Sequence, residues 1–389
     1  LDPDLPAASL SRLLESAGPG LIVCDRKNHP PATALSIDCP VLCLDPAHPG
    51  DFSARNPGLP ISSSKPAYVY YTSGSTGEPK GVVDSHRNVM HNIMRYTNGL
   101  KIGPEDRLTL LQTPSFSGAV SSMFGALLNG AALFPINPRQ ESPASLAQWV
   151  RENELTMWHS VPSLLRQLCA AGGEFPSVRV IRLEGDQSSV SDVELFRRHF
   201  GEHCVLVNGL GATETGISRR YFVARDTSLD GNLVPVGYEV EDIHVTVINE
   251  SGDTAPAGQT GEIAVRSDYL ALGYWKRPDL TDRAFCECED GSRLYRTGDL
   301  GRMRQDGCLE HLGRLDGRVK IRGNWVDLAD IEGLLQLAPG VAQAVVRSDT
   351  GADGEKRLAG YVVPAQGQSP SVTSLRRHLQ AKLAPHQIP

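Results

Sequence analysis

Between residues 131 and 210, short apolar runs alternate with amphipathic ones, and nothing else in the chain limits its fold so tightly. Ala131–Ile136, Thr156–Ser160, Val178–Leu183 and Cys204–Asn208 read as strands. Ser145–Glu152 and Ser163–Ala170 carry helical periodicity between them. A third helix, reaching Phe200, opens with Ser191 and Glu194 at capping-box spacing. Strands alternating with helices of this length build βαβ units, and such units make a mostly parallel sheet. Ligands of these sheets bind in loops beyond the carboxyl ends of the strands. The segments that follow each strand are therefore the first place to look for chemistry.

The texture changes near residue 235. Ile243–Ile248 alternates apolar with polar residues, Gly261–Arg266 is another short strand, and Gly and Pro punctuate the gaps. A third unit starts near Gly317. There Val319–Ile321, Val341–Arg347 and Leu358–Val363 read as strands, and Thr373–Leu383 reads as a helix. Leu328, Ile331, Leu334 and Leu335 share one helical face. The expected class is α/β: a large core of mostly parallel sheets flanked by helices, a β-rich subdomain over about 235–314, and a small α+β C-terminal lobe.

Composition removes several classes of function. With 40% apolar and 21% charged residues over 389 positions, the chain is not of disordered type. Lys+Arg 38 against Asp+Glu 45 leaves a net charge of −7 with no long basic run, so neither nucleic acid nor a membrane surface is an expected partner. No apolar stretch approaches the roughly 18 residues of a membrane span. Eight cysteines are too sparse for a disulfide scaffold. The pairs Cys39/Cys43 and Cys286/Cys288 lack a second pair at zinc spacing, while Cys169 and Cys204 read as core residues. A reducing cytoplasm is the expected compartment. The opening Leu1-Asp2-Pro3-Asp4, without Met or signal pattern, reads as cut from a longer chain.

The strongest chemical signal is Tyr71-Thr72-Ser73-Gly74-Ser75-Thr76-Gly77-Glu78-Pro79-Lys80-Gly81, which follows the strand Ala67–Tyr71. Its backbone N–H groups and hydroxyls have the composition of a phosphate-cradling nest. It is not a Walker A loop, because Glu78-Pro79 separate Gly77 from Lys80. Composition alone leaves a flexible Ser/Gly turn equally open.

The order of residues resembles the phosphate loop of the adenylate-forming (AMP-binding) superfamily, and within it the adenylation domains of nonribosomal peptide synthetases. Leu1-Asp2-Pro3 with Leu13–Val23, Asn208-Gly209-Leu210-Gly211-Ala212-Thr213-Glu214, Tyr269–Tyr274, Tyr295-Arg296-Thr297-Gly298-Asp299-Leu300, Gly313-Arg314-Leu315-Asp316 with Val319–Gly323, and Leu383–Pro389 resemble further family segments in the same order. The resemblance implies an enzyme that uses ATP and Mg²⁺ to make an acyl-adenylate, releases pyrophosphate, and passes the acyl group to a phosphopantetheine thiol. The implied partners are a carrier protein and neighbouring synthetase domains. It also implies that residues 1–314 form the large core with its N-terminal part missing. Residues 315–389 would form a mobile, incomplete lobe hinged at Asp316.

Roles follow by the same resemblance. Thr72, Ser73, Gly74, Ser75, Thr76, Gly77 and Lys80 would hold the β- and γ-phosphates. Thr213 would bind the α-phosphate and Glu214 the Mg²⁺. Asp299 would accept from the ribose hydroxyls, with Arg314 near the same sugar. Asn208, Gly209 and Leu210 would lie near the adenine, Leu210 standing where relatives often place Tyr.

The acid pocket departs from the usual pattern. Phe116-Ser117-Gly118-Ala119 stands where α-amino-acid-loading domains carry Phe-Asp-x-Ser, whose Asp pairs with the substrate ammonium. Ser121, Ser160, Arg182, Glu184, Gly209, Ile217 and Ser218 align with the remaining pocket positions. The expected acid lacks an α-amino group and is a hydroxy, keto, aryl or fatty acid. A β- or ω-amino acid held by Glu184 or Asp186 is the alternative, as is a coenzyme A ligase or, less readily, a non-catalytic nucleotide-binding domain. His159 lies beside the pocket, and the other histidines are not placed for catalysis. Family members carry a catalytic Lys in a segment beyond the Leu383–Pro389 motif; lacking such a positioned charge costs about 10²–10³ in rate.

Overall fold

The computed structural model describes residues 1–35, 38–45, 53, 55–73, 79–231, 233–315, 319–351 and 355–389. The first region holds α1 (Ala7–Ala17), β1 (Ile22–Asp25), α2 (His29–Thr33), β2 (Val41–Leu44), β3 (Pro66–Ser73), β4 (Pro79–Ser85) and α3 (His86–Leu100). β1 and β2 pair in parallel, while β3 and β4 form an antiparallel hairpin. Ser85 caps α3 by accepting from the Asn88 N–H, so the chain leaves β4 directly into a helix.

The alternating region folds as its pattern dictates. β5 (Arg107–Leu110), α4 (Gly118–Leu127), β6 (Ala132–Pro135), α5 (Pro143–Glu152), β7 (Met157–Ser160), α6 (Pro162–Ala170), β8 (Val180–Leu183), α7 (Val190–His199) and β9 (Val205–Ala212) follow in order. β10 (Gly216–Val223) and β11 (Tyr238–Glu239) complete a seven-stranded sheet ordered β11-β10-β9-β8-β7-β5-β6. Strands β5 to β9 pair in parallel, and β10 and β11 are antiparallel. Every residue of β7 and β8 is buried, as the centre of a helix-covered parallel sheet requires. Leu165, Leu168, Ile181, Val193 and Phe196 fill one of the layers between sheet and helices.

Two sequence expectations shift here. The box that starts α7 is formed by Ser189 and Asp192, not Ser191 and Glu194. Asp192 Oδ2 accepts from the Ser189 N–H and hydroxyl, each at 2.8 Å. Starting two residues earlier turns Val193 and Phe196 into the core. The strand expected to end at Asn208 runs on through Gly209–Ala212 as β9. Only Thr213–Thr215 turn, and Gly216 at φ +63° starts β10, where a side chain would strike Asn92.

Beyond residue 240 come β12 (His244–Ile248), β13 (Thr260–Ser267), β14 (Gly273–Tyr274), α8 (Pro278–Ala284), β15 (Phe285–Glu287), β16 (Arg293–Met303) and β17 (Leu309–Arg314). All but β14 of these strands form one antiparallel sheet, and β14 joins the β3–β4 hairpin. The last region contains the hairpin β18 (Val319–Ile321) and β19 (Asn324–Val326), then α9 (Leu328–Gln336), β20 (Val341–Thr350), β21 (Lys356–Pro364) and α10 (Val372–Gln380). Ile321, Val326, Ile331, Leu335, Ala344, Val346 and Leu379 make a separate apolar core there. No described helix is long and apolar enough to cross a membrane.

Candidate functional site

Turns beyond the sheet's carboxyl ends and the β3–β4 hairpin open onto one cleft of about 3300 Å³. Thr72, Lys80, Phe116, Ser117, Gly118, Ser121, Ser160, Arg182, Glu184, Thr213, Glu214, Asp299 and Arg314 all line it. Residues from eight segments of sequence thus reach one space. Gly74, Ser75, Thr76, Gly77 and Asp316 lie outside the described residues, as does the Ser73 side chain.

At the hairpin, Thr72 pairs with Lys80 across the ladder. Lys80 Nζ lies 5.5 Å from the centre of the Tyr274 ring. The Tyr274 hydroxyl donates to Glu214 Oε1 at 2.8 Å, and Glu214 is buried. β14, which carries Tyr274, pairs with β4, so the backbone ladder brings the strands of residues 80 and 274 together, and the Ala271 N–H ties in residue 214 by donating to its carbonyl at 2.9 Å. Tyr274 fixes one oxygen of Glu214, a residue that lines the cleft. One oriented carboxylate fits Mg²⁺, which takes one or two carboxylates and fills its remaining positions with phosphate oxygens and water. Among the described residues no cluster of three or more His, Cys, Asp or Glu could hold a metal on its own.

Asp299 and Arg314 face each other on β16 and β17, with Arg314 Nη1 donating to Asp299 Oδ1 at 3.0 Å. His311 Nε2 is 3.8 Å from Oδ2. Burial pushes the Asp299 pKa up, but His311, Arg314 and Lys320 outweigh it and hold the carboxylate below its usual range. Lys320, from β18, has its own pKa lowered by burial, against the pull of Asp299 and Asp186. Glu262 Oε1 accepts from the Gly298 N–H at 3.0 Å and stiffens the turn before Asp299.

The acid side is a hydroxyl-lined wall ending in an ion pair. Ser117 Oγ meets Thr213 Oγ1 at 2.8 Å. One turn along α4, Ser121 Oγ accepts from Arg182 Nη2 at 2.7 Å. Arg182 clamps Glu184 through Nε at 2.6 Å and Nη2 at 2.8 Å, and stacks 3.8 Å above the Tyr96 ring. The Tyr96 hydroxyl donates to Glu184. Burial disfavours the Arg182 charge, yet Glu184 and Tyr96 raise its pKa overall. His159 is buried, bonds Ser122 at 2.9 Å, and is kept neutral by burial and by Arg182. Asp186, the other carboxylate considered for a displaced ammonium, faces Lys356 at 3.8 Å. Both carboxylates already have cations from this chain.

Several sequence candidates stand behind the cleft wall. Asn208 Nδ2 donates to the Val234 and Pro235 carbonyls at 3.1 and 2.9 Å, and its Oδ1 accepts from Ser188. Ile217 and Ser218 are buried, and the Ser218 hydroxyl bonds the Leu210 carbonyl. Leu210 packs against the core. Gly209 abuts Glu184, where a Cβ would sit 2.6 Å from Oε1. Sequence reasoning gave no role to Tyr96, Tyr274, His311 or Lys320. Tyr274 and Lys320 lay inside quoted motifs, whereas Tyr96 carried no signal beyond its place on an amphipathic helix. His91 bonds Asp242 at 2.8 Å and stacks on Tyr269, a structural role.

A strand-end cleft that gathers a Gly/Ser hairpin, an oriented acid and an Asp–Arg pair defines a nucleotide-binding α/β protein. The profile of the family described as "AMP-binding enzyme" matches residues 1–275, and the chain belongs to that family. It is 33% identical to a dimodular nonribosomal peptide synthase of Bacillus subtilis (strain 168), aligned over 100% of this chain and 16% of that protein. The chain thus spans about a sixth of that protein, and for surfactin synthase subunit 2 the share is 11%. Among solved structures, the Vibrio cholerae adenylation domain AlmE, bound to glycyl-adenosine-5'-phosphate, superposes with a TM-score of 0.86. It covers 100% of this chain and 79% of AlmE, and at 21% identity it shares the fold. NpsA-ThdA, an artificially fused adenylation-PCP di-domain from Klebsiella oxytoca, is 26% identical with a TM-score of 0.84, over 99% of this chain and 76% of that one.

Proposed function

We propose that the chain binds ATP in this cleft and activates a carboxylic acid. A carboxylate oxygen attacks the α-phosphorus, the bond to the β-phosphate oxygen breaks, and pyrophosphate leaves with that electron pair. The convergence of Lys80 and Glu214 on Tyr274, beside Thr213, carries this reading. Lys80 offsets charge on the leaving phosphates, the Thr213 hydroxyl donates to an α-phosphate oxygen, and Asp299 accepts from the ribose hydroxyls. Catalysis of this kind is positioning plus charge stabilisation. Bound at Glu214, Mg²⁺ supplies positive charge against the triphosphate.

The acid lacks an α-amino group. Ser117 brings a hydroxyl where an ammonium would need a carboxylate, and Glu184 is already held by Arg182. The acyl group then passes to the phosphopantetheine thiol of a carrier protein, in keeping with the peptide synthetases that this chain resembles. Residues 1–314 and 315–389 act as a core and a mobile lobe hinged at Asp316, whose separate apolar core supports independent motion. Eight unpaired cysteines fit a reducing cytoplasm.

ATP–pyrophosphate exchange across hydroxy, keto, aryl, fatty and α-amino acids tests the activation step. Exchange with an α-amino acid alone would overturn the substrate reading. Acyl transfer to coenzyme A, with none to a phosphopantetheine-bearing carrier, would overturn the acceptor.

A further inference from the structure

Resting on the acid-activation reading, we infer that the cleft selects a short carboxylic acid carrying a neutral oxygen on its far carbon, a hydroxy or keto acid, and that Arg182 recognises that oxygen.

Thr213 marks where the carboxylate meets the nucleotide, and Ser117 touches it at 2.8 Å. Ser121 is one helical turn further along the same face, and Arg182 donates to it at 2.7 Å. Between the reacting group and the guanidinium lies about 5–6 Å, the spacing of side chains one turn apart, which a chain of about three or four carbons spans. The ion pair is a rigid floor. Glu184 takes two bonds from Arg182 and one from the Tyr96 hydroxyl, and the guanidinium rests on the Tyr96 ring. Gly209 permits this arrangement, since any side chain there would strike Glu184.

The floor also specifies chemistry. Nε and Nη2 of Arg182 are engaged, whereas Nη1 has no partner among the described residues and is not among the fully buried atoms that lack one. Arg182 lines the cleft, and Nη1 is the donor it has left for an acceptor there. Because Glu184 already neutralises the guanidinium, a second carboxylate would find no uncompensated cation, and a neutral hydroxyl or carbonyl oxygen matches better. A long alkyl chain or an aromatic ring would press apolar surface onto a satisfied ion pair and gain no hydrogen bond.

Acyl-sulfamoyl adenosines, stable mimics of the acyl-adenylate, read this without turnover. Calorimetric titration of the chain would compare the 3-hydroxypropanoyl, 4-hydroxybutanoyl, succinyl, octanoyl, benzoyl and glycyl forms. The hydroxyacyl forms are expected to bind at least about tenfold more tightly than the octanoyl and benzoyl forms, because a site built to bond an oxygen penalises ligands lacking it. In Arg182→Met/Glu184→Gln, which avoids stranding one buried charge, that preference disappears and the octanoyl form gains. Arg182→Lys, which loses the planar edge, weakens hydroxyacyl binding and serves if the double variant fails to fold. Equal or tighter binding of the octanoyl, benzoyl, succinyl or glycyl form by the unaltered chain would overturn the inference and leave the adenylation reading standing. Failure of every form, together with AMP itself, would overturn both.

Discussion

Ser117 and Thr213, 96 residues apart in sequence, meet hydroxyl to hydroxyl at 2.8 Å. In the proposed function Ser117 faces the acid and Thr213 the α-phosphate, so a change at position 117 should be felt by both ligands. Ser117→Asp would place a carboxylate that accepts from Thr213 and pairs with an ammonium. Relative to the hydroxyacyl form, binding of glycyl-sulfamoyl adenosine should rise at least about tenfold, in line with a newly paired charge in a desolvated site. Calorimetry on the two ligands checks this. An unchanged ratio would mean that Ser117 does not set the preference.

Asp299 provides a second test because its partners hold its pKa below the ordinary carboxylate value. The carboxylate stays ionised over the whole neutral range, so Asp299 should add no pH dependence to the affinity for adenosine, which has no phosphate to titrate, between about pH 5.5 and 8. Asp299→Ala removes the proposed acceptor for two ribose hydroxyls and one of the partners of Arg314; at about 1.5–3 kcal/mol for a hydrogen bond to a charged group, AMP binding should fall by at least about tenfold. A depressed acid stabilises the fold above its unfolded pKa and loses that contribution as the pH falls through the native value. The melting-temperature deficit of Asp299→Asn should accordingly be present at neutral pH and shrink under acid conditions. A deficit that grew with acidification would contradict the assignment.

The parts of this fold visible in sequence are those governed by local periodicity. β7 and β8 are buried along their whole length because both their faces are covered, and α5, α6 and α7 show their buried stripes. The cap of α7 was misplaced because Ser189 and Ser191 offer the same local chemistry, and only the packing of Val193 and Phe196 chooses between them. At the site, motif order singled out Lys80, Glu214 and Asp299, and all three line one cleft. It could not reveal that Tyr274 joins the first two, since that contact depends on β14 pairing with β4. Nor could it show that Arg182 and Glu184 satisfy each other. Two residues apart on one strand they point the same way, but Tyr96 and Ser121 arrive from distant helices.

Asp84 titrates in the opposite sense. It is buried beside the Tyr68 hydroxyl, and burial lifts its pKa to about 6 despite bonds from Asn88, Ser85 and Tyr68. Between the ordinary value of 3.8 and about 6 the native state keeps a proton that the unfolded chain has lost, so stability falls as the pH rises through that window. At about 1.4 kcal/mol per unit the loss is at most about 3 kcal/mol. Asp84→Asn retains an acceptor and cannot ionise. Its melting temperature should match the parent near pH 4 and exceed it at pH 7.5; scanning calorimetry at both values decides, and an advantage confined to low pH would refute the argument.

The β20–β21 hairpin rests on the large core through charges. Arg166 holds buried Asp192 with two bonds and reaches Glu355 at 3.2 Å, while Lys356 donates to Gln187 at 3.1 Å and faces Asp186 at 3.8 Å. Partly exposed pairs of this kind are worth at most about 1 kcal/mol each, enough to bias an orientation without fixing it. Glu355→Gln with Lys356→Met should therefore shift the distance distribution between spin labels at the exposed positions 194 and 343 by a several-fold change in population. The apolar cores remain intact, so the melt of the large core should not move. Raising the salt concentration should mimic the double variant in the parent chain, since screening weakens exposed charges first. A distribution insensitive to both salt and substitution would mean that apolar contacts, and not this latch, hold the hairpin against the core.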